Sequence, residues 1–214
     1  FGEASLNHYC HHENFEIICG DVRVRETVKP LMANADVVIP LAAIVGAPLC
    51  AKDPVAAKTT NHDAVALMLD IASTEQLIIM PTTNSAYGSG DKNNFCTEES
   101  PLNPISSYAI EKVEVEKKLM DRENSISFRL ATVFGMSPRM RIDLLVNDFT
   151  HRAVNDSAVV LFESHFKRNY VHVRDVCRTF LHGIHNFGSM KSQIYNVGLS
   201  SANVSKFELC KKIA

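Results

Sequence analysis

Between Phe15 and Leu130 short apolar runs alternate with longer stretches of helical period, and this alternation limits the fold more than any single residue does. Phe15 to Cys19 is a β-prone run closed by Gly20-Asp21, and Val22 to Ala33 reads as a helix. Asp36 to Ala43 is the next apolar strand, Asp53 to Ser73 a long helix, and Gln76 to Met80 a buried strand. After a loop from Ser89 to Pro104, a helix from Ile105 to Arg122 leads into a strand from Ser125 to Leu130. This order predicts an α/β fold, a parallel sheet with helices on both faces. Ligands of such folds gather where strand carboxyl ends meet loops.

From Met136 onward the segments shorten. A helix near Ile142 to Arg152, strands near Val159 and Tyr170, a helix from Val173 to Asn186, a strand from Ile194 to Val197 and a helix opening near Asn203 predict a smaller, interleaved α/β lobe. The reading therefore divides the chain at 135, with one domain over 1–135 and a substrate-binding lobe over 136–214.

Composition narrows the partners. With 214 residues, 46% of them hydrophobic, the chain can bury a substantial core, and a net charge of −2 gives no global attraction to nucleic acid or an anionic membrane. Cys10, Cys19, Cys50, Cys96, Cys177 and Cys210 lack the short paired spacings of a zinc or redox site, and read as reduced. His8, Cys10, His11 and His12 read as a solvated helix end, so no metal is assigned. No apolar run reaches the roughly 18 residues that span a bilayer, and a cytoplasmic location is expected.

The candidate chemistry starts on the helix from Ile105, where Tyr108 and Lys112 stand four residues apart and share one face. A free phenol titrates near ~10, and a neighbouring cation can lower that by about 1 to 3 units, which makes a tyrosine a usable acid and base. A half-buried Tyr beside a solvated Lys would show the same spacing. Thr82-Thr83-Asn84-Ser85-Ala86-Tyr87-Gly88 directly follows the strand to Met80, so its hydroxyl groups lie at a strand end; a plain polar turn would look alike.

Together these segments resemble the NAD-dependent epimerase/dehydratase family of extended short-chain dehydrogenases. The likeness rests on Thr83, Tyr87-Gly88, Pro104-Ile105-Ser106-Ser107-Tyr108 and Lys112, on Gly20-Asp21-Val22-Arg23, and on Leu41-Ala42-Ala43. It continues through Arg129 to Gly135, Arg168 to Val176 and Tyr195-Asn196-Val197-Gly198. The resemblance implies a Rossmann-type doubly wound sheet that binds NAD, with NADP as the other option, and a nucleotide-sugar substrate. It also implies a homodimer for the complete protein.

By that resemblance Thr83, Tyr108 and Lys112 are the catalytic set. Asp21, Val22, Leu41, Ala42, Ala43, Thr60 and Ala131, with Tyr108 and Lys112, would line the cofactor site, and Thr83, Ser85, Thr132 and Arg168 would meet substrate. Asp21 equally suits capping a helix that starts at Val22, and Arg168 has the forked donors that phosphate oxygens accept from. Two positions depart from the family, Pro40 where many members have His and Thr132 where Asn is usual.

No Gly-x-x-Gly-x-x-Gly occurs, and the chain closes inside a helical pattern at Ala214. It is therefore expected to be a fragment without the first β-α unit and without a carboxyl-terminal portion. Such a piece is expected to aggregate and to bind NAD weakly.

The family's 4,6-dehydratases carry Asp-Glu directly after the catalytic Thr, where this chain has Asn84-Ser85. The implied reaction is then epimerisation through a transient keto sugar. A one-way reductase or dehydrogenase using the same residues, or a non-catalytic nucleotide-binding remnant, are the alternatives.

Overall fold

The structure, a computed structural model, describes Leu6, residues 8–89 and residues 95–214. Residues 90–94 of the expected loop from Ser89 to Pro104 lie outside the described residues.

The chain divides into two compact units, one of residues 20–130 with 178–197, the other of residues 1–19, 131–177 and 198–214. In the first unit four parallel strands, β1 (Val37–Val38), β2 (Leu77–Thr83), β3 (Ser125–Leu130) and β6 (Gln193–Val197), lie in the order β1-β2-β3-β6. The alternation of side chains along β2 and β3 supplies both faces. Ile78 and Met80 join Met32, Val65, Met68, Leu69, Val115 and Leu119 in one buried cluster, from helices α1 (Arg25–Ala33), α4 (Ala64–Ile71) and α5 (Ser107–Met120). Ile79, Ile126 and Phe128 point the other way and pack with Phe180, Ile184 and Phe187 of α7 (Val173–His185) and α8 (Phe187–Met190). Gly183 lets α7 come close, because a Cβ there would sit 3.0 Å from the Phe128 ring. This is a doubly wound α/β sheet, as the alternation of apolar runs predicts. It includes Gln193–Val197, which the reading of the sequence assigns to the smaller lobe.

Several elements differ from expectation for local reasons. Phe15 to Cys19 forms no strand; all five residues are exposed and no ladder partner runs beside them among the described residues. The strand expected over Asp36 to Ala43 shortens to Val37–Val38, since Pro40 has no N–H to place in a ladder. The first helix opens at Arg25 rather than Val22. Here the Asp21 carboxylate accepts from the backbone N–H of Arg23, which sets a turn, and Val24 stands at the helix start without a side-chain cap. The long helix forms in three joined pieces, α3 (Pro54–Lys58), a π-helical turn (Thr59–Asp63) and α4. Asp53 accepts from the Ala56 N–H and Pro54 occupies the first turn, so its start follows from sequence.

The second unit holds a three-stranded sheet, β4 (Thr132–Phe134) parallel to β5 (Lys167–His172) and β5 antiparallel to β7 (Asn203–Ser205). Its core gathers Phe149, Tyr170 and Leu209, with α6 (Leu145–Asn155) and α9 (Lys206–Ile213) alongside. Val159 and Leu161 pack there from a segment that is not a strand. The helix expected near Asn203 begins three residues later. A capping box between Ser205 and Glu208 starts it, while Asn203 to Ser205 completes the sheet.

Candidate active site

The hydroxyl-bearing run sits where strand β2 ends. Thr83 is the last residue of β2 and is buried, and its Oγ1 accepts from the Ser85 N–H at 3.1 Å, which caps a single 3-10 turn over Asn84–Tyr87. Ser85 is exposed at that turn. Gly88 closes it with φ +69°, and a Cβ there would collide with the Asn103 carbonyl, so this position belongs to glycine. The chain thereby returns toward α5, whose first turn is fixed by Ser106 accepting from the Ala109 N–H at 3.2 Å.

Tyr108 and Lys112 are one turn apart on α5, which packs against β2, β3 and the Asn84–Tyr87 turn. Tyr108 is half-buried, while Lys112 is only 3% exposed. Among the described residues, no hydrogen bond or ion pair reaches the Lys112 ammonium. Burial, the largest influence, takes it down from an ordinary 10.5 to about 8, against the opposing pull of Glu111 and Cys50.

This has a measurable consequence for the protein without cofactor. Between about 8 and 10.5 the unfolded chain still holds a proton that folded Lys112 has released, so stability rises with pH across that window. Below it the folded state carries the whole cost, about 3 kcal/mol at about 1.4 kcal/mol per pH unit. Lys112→Met is expected to be the more stable protein at pH 7, with the difference closing as pH rises through the window. Denaturant unfolding of both proteins checks this, and parallel stability curves would refute it.

Deeper in the same unit lies a charge network that sequence reasoning missed. Glu116, one turn after Lys112 on α5, receives Arg129 of β3 at 2.6 Å, and both side chains are almost wholly buried. Glu116 Oε2 also accepts from the hydroxyls of Thr82 at 2.9 Å and Ser127 at 2.6 Å. Burial alone would pull Arg129 down, but the hydrogen bonds to Glu116 and Tyr87 outweigh it and hold the guanidinium above its ordinary value. Arg129 donates onward to the Tyr87 hydroxyl at 2.8 Å, and Tyr87 donates to Asn196 Oδ1 at 2.7 Å. Glu98 accepts from the Asn196 N–H at 2.6 Å, which ties the loop before α5 to strand β6. The missed signal was legible: Lys112 and Glu116 fall among Ala109, Val113 and Met120 on the spacing of the helix's inward stripe.

A second buried pair joins the π-helical turn to α5. Asn61 is fully buried; its Nδ2 donates to Glu111 Oε2 at 3.0 Å and to the Ile44 carbonyl, and its Oδ1 accepts from the Ile44 N–H at 2.8 Å. Thr60, expected on the cofactor channel, is its neighbour and is half-buried. Leu41 and Ala42 are exposed and Ala43 half-buried in the irregular segment after β1 that Asn61 anchors at Ile44.

Asp21 differs from one of its two expected roles. It caps no helix; instead its carboxylate takes a bidentate hydrogen bond from the Arg23 guanidinium, which holds it at about 2, well below the usual carboxylate range. Val22 beside it is exposed. In the other unit, Ala131 is buried, Thr132 opens β4 opposite Tyr170, and Arg168 is exposed on β5 opposite Val204.

Over residues 3–198 the chain matches the model of the NAD dependent epimerase/dehydratase family. The chain belongs to this family. One relative is the low-salt glycan biosynthesis protein Agl12 of Haloferax volcanii, 27% identical over 219 residues that cover 98% of this chain and 68% of that protein. Solved members share the fold. A dTDP-glucose 4,6-dehydratase from Bacillus anthracis in complex with NAD superposes with a TM-score of 0.83 at 19% identity, over 97% of this chain and 67% of that one. A UDP-glucose 4-epimerase of Thermus thermophilus in complex with NAD gives 0.78 at 22% identity, over 91% and 67%. Dehydratases and epimerases thus both stand among its structural neighbours, so membership of the family establishes the enzyme class and leaves the reaction to be argued from the residues.

Proposed function

We propose that this chain carries the acid/base machinery of an NAD-dependent epimerase that acts on a nucleotide-activated sugar. The observation that supports this reading best is the composition of the β2 strand end. Thr83 stands there with Asn84 and Ser85 after it, and neither of those two side chains can take up or release a proton near neutral pH. Elimination of water from a sugar needs a further acid and base at that point. Reversible oxidation of one hydroxyl does not.

In this reading Tyr108 accepts the proton of the reacting sugar hydroxyl and later returns it, while Thr83 Oγ1 donates a hydrogen bond that holds the same oxygen. Lys112 favours the phenolate by its charge. The residues fit a nicotinamide cofactor on one count in particular. A buried lysine whose ammonium makes no hydrogen bond among the described residues suits the vicinal hydroxyls of a ribose, which can accept from it. Hydride acceptance and return is the chemistry that bound NAD supplies. Asp21, Val22, Leu41, Ala42, Ala43, Thr60 and Ala131 would complete its site, and Ser85, Thr132 and Arg168 would face the nucleotide sugar, with the Arg168 fork toward its diphosphate.

The test is direct. The complete protein, given NAD and UDP- or dTDP-hexoses, is expected to interconvert epimers with no net formation of NADH, as followed by proton NMR and absorbance at 340 nm. A 4-keto-6-deoxy product would replace this reading by a dehydratase. Stoichiometric reduced cofactor would replace it by a dehydrogenase, and NMR-silent mixtures with every hexose by a non-catalytic binder.

A further inference from the structure

Thr83 leads into a turn with few bonds of its own. The single 3-10 turn over Asn84–Tyr87 is closed by the Gly88 N–H donating to the Ser85 carbonyl at 3.1 Å, and it is capped by the Ser85 N–H donating to Thr83 Oγ1. Ser85 is exposed, Ala86 offers only a methyl group, and neither Asn84 nor Ser85 makes a side-chain hydrogen bond among the described residues. Tyr87 is different. Its ring is buried, and its hydroxyl both accepts, from Arg129 at 2.8 Å, and donates, to Asn196 Oδ1 at 2.7 Å. We propose that Tyr87 is a positioning residue: clasped between Arg129 and Asn196, it fixes the Asn84–Tyr87 turn, and through the Ser85 N–H it sets the direction of the Thr83 hydroxyl.

The clasp is built into the sheet. Arg129 of β3 and Asn196 of β6 are register partners on adjacent parallel strands, so their side chains rise on one face. Glu116 takes Arg129 Nε at 3.0 Å and Nη2 at 2.6 Å, and the guanidinium carbon lies 5.1 Å from the centre of the Tyr87 ring. Asn196 is tied as well, its N–H to Glu98 Oε1 and its Nδ2 to the Cys96 carbonyl at 3.4 Å. The other buried acid of α5, Glu111, lies five residues before Glu116 and so on a different side of the helix, where Asn61 holds it beside Cys50 of α2 (Ala47–Lys52). The link from α5 to the turn therefore runs through Glu116 and Arg129. A further outside tie, from the Asn103 N–H to the Ala86 carbonyl at 2.9 Å, joins backbone to backbone and does not depend on the Tyr87 side chain. The consequence falls on Thr83 Oγ1. Accepting from the Ser85 N–H turns its oxygen to one side and leaves its own proton to donate, which is what the proposed reaction asks of it. A turn that shifts takes the Ser85 N–H with it and frees the hydroxyl to rotate.

This role rests on the reading of Thr83 as the group that holds the reacting oxygen, and two measurements separate the one from the other. Tyr87→Phe keeps the ring and removes both hydrogen bonds. In the complete protein without ligands, amide exchange followed by NMR is expected to be about tenfold faster at Ser85, while the amides of β3 keep their wild-type rates. An unchanged Ser85 rate would overturn the proposal, even in a protein that epimerises sugars normally, and so would equal acceleration in β3, the sign of a general loss of stability. In turnover, Tyr87→Phe is expected to lower kcat about tenfold, with KM for the nucleotide sugar and Kd for NAD within about twofold of wild type. Placed in Thr83→Val, which lacks the hydroxyl, the same substitution should change kcat by less than about twofold, because the group it positions is gone. An equal fall in both backgrounds would overturn the proposal. Faster exchange at Ser85 in a protein with no epimerase activity would leave the clasp standing and sink only the functional reading. Should Tyr87→Phe fail to fold, Asn196→Ala opens the clasp from the β6 side; there too Ser85 is expected to exchange faster, and an unmoved rate would refute the clasp.

Discussion

Tyr108→Phe is expected to lower the turnover of the complete enzyme by at least about a hundredfold while leaving NAD affinity close to wild type. Removal of a general acid/base costs about two to four powers of ten when no other group can take the proton. Lys112 and the residues at the β2 strand end offer none. Asn84 and Ser85 cannot serve, and Lys112, buried and charged, has no lone pair to give until its proton is lost. The phenyl ring keeps the packing of the half-buried tyrosine, so binding should persist. Isothermal titration with NAD, alongside the epimer assay, separates the two effects. A variant that turns over within tenfold of wild type would remove Tyr108 from the mechanism, and one that loses NAD binding as well would show the ring to be a cofactor contact first.

The second large effect is expected at a residue that touches no substrate in this reading. Glu116→Ala should cost about 3 to 5 kcal/mol of folding stability, because it strands Arg129 as a buried charge without its carboxylate. The hydroxyls of Thr82 and Ser127 lose their shared acceptor in the same step; they stand 3.0 Å apart, so one can donate to the other, and the donor left over costs about 1 to 3 kcal/mol where no water can enter. Replacing both members of the pair, Glu116→Leu with Arg129→Met, should recover much of the loss, since an apolar pair carries no desolvation penalty. Urea unfolding of the three proteins decides this. A loss below about 1 kcal/mol for Glu116→Ala would mean that the site relaxes enough to hydrate Arg129.

These two residues also mark what could and could not be read from the sequence. Tyr108 and Lys112 lie four apart on a helix, β2 opens on an apolar run and β3 alternates apolar with polar residues, so both the candidate catalytic face and the strands that carry it follow from local periodicity. Phe15 to Cys19 has the composition of a strand as well, but a strand exists only where another offers a ladder, and composition does not say where that is. Pro40 explains the shortened β1 from sequence alone, whereas the Asp21–Arg23 fork competes with helix capping in a way that only the fold decides. The Asn61–Glu111 and Glu116–Arg129 contacts join different elements, fifty and thirteen residues apart, so no spacing rule reaches them. What the sequence does carry is their warning sign, charges placed on an inward-facing helical stripe.

The π-helical turn at Thr59–Asp63 also governs how this segment can change length. Such a turn accommodates one residue more than the α-helical turn it replaces, so the surplus residue is absorbed locally and the helix on either side keeps its phase. Deleting a single residue there would leave a smoother helix with its two halves still in phase, whereas the same deletion in Ala64–Ile71 would rotate one half against the other by about 100°. What the deletion at the turn would disturb is Asn61, which would move away from both Glu111 and Ile44. A helix that elsewhere does not tolerate a change in the count of its residues can thus lose one at this place, at the cost of the Asn61 contacts, and homologous chains with a gap here should also lack that asparagine.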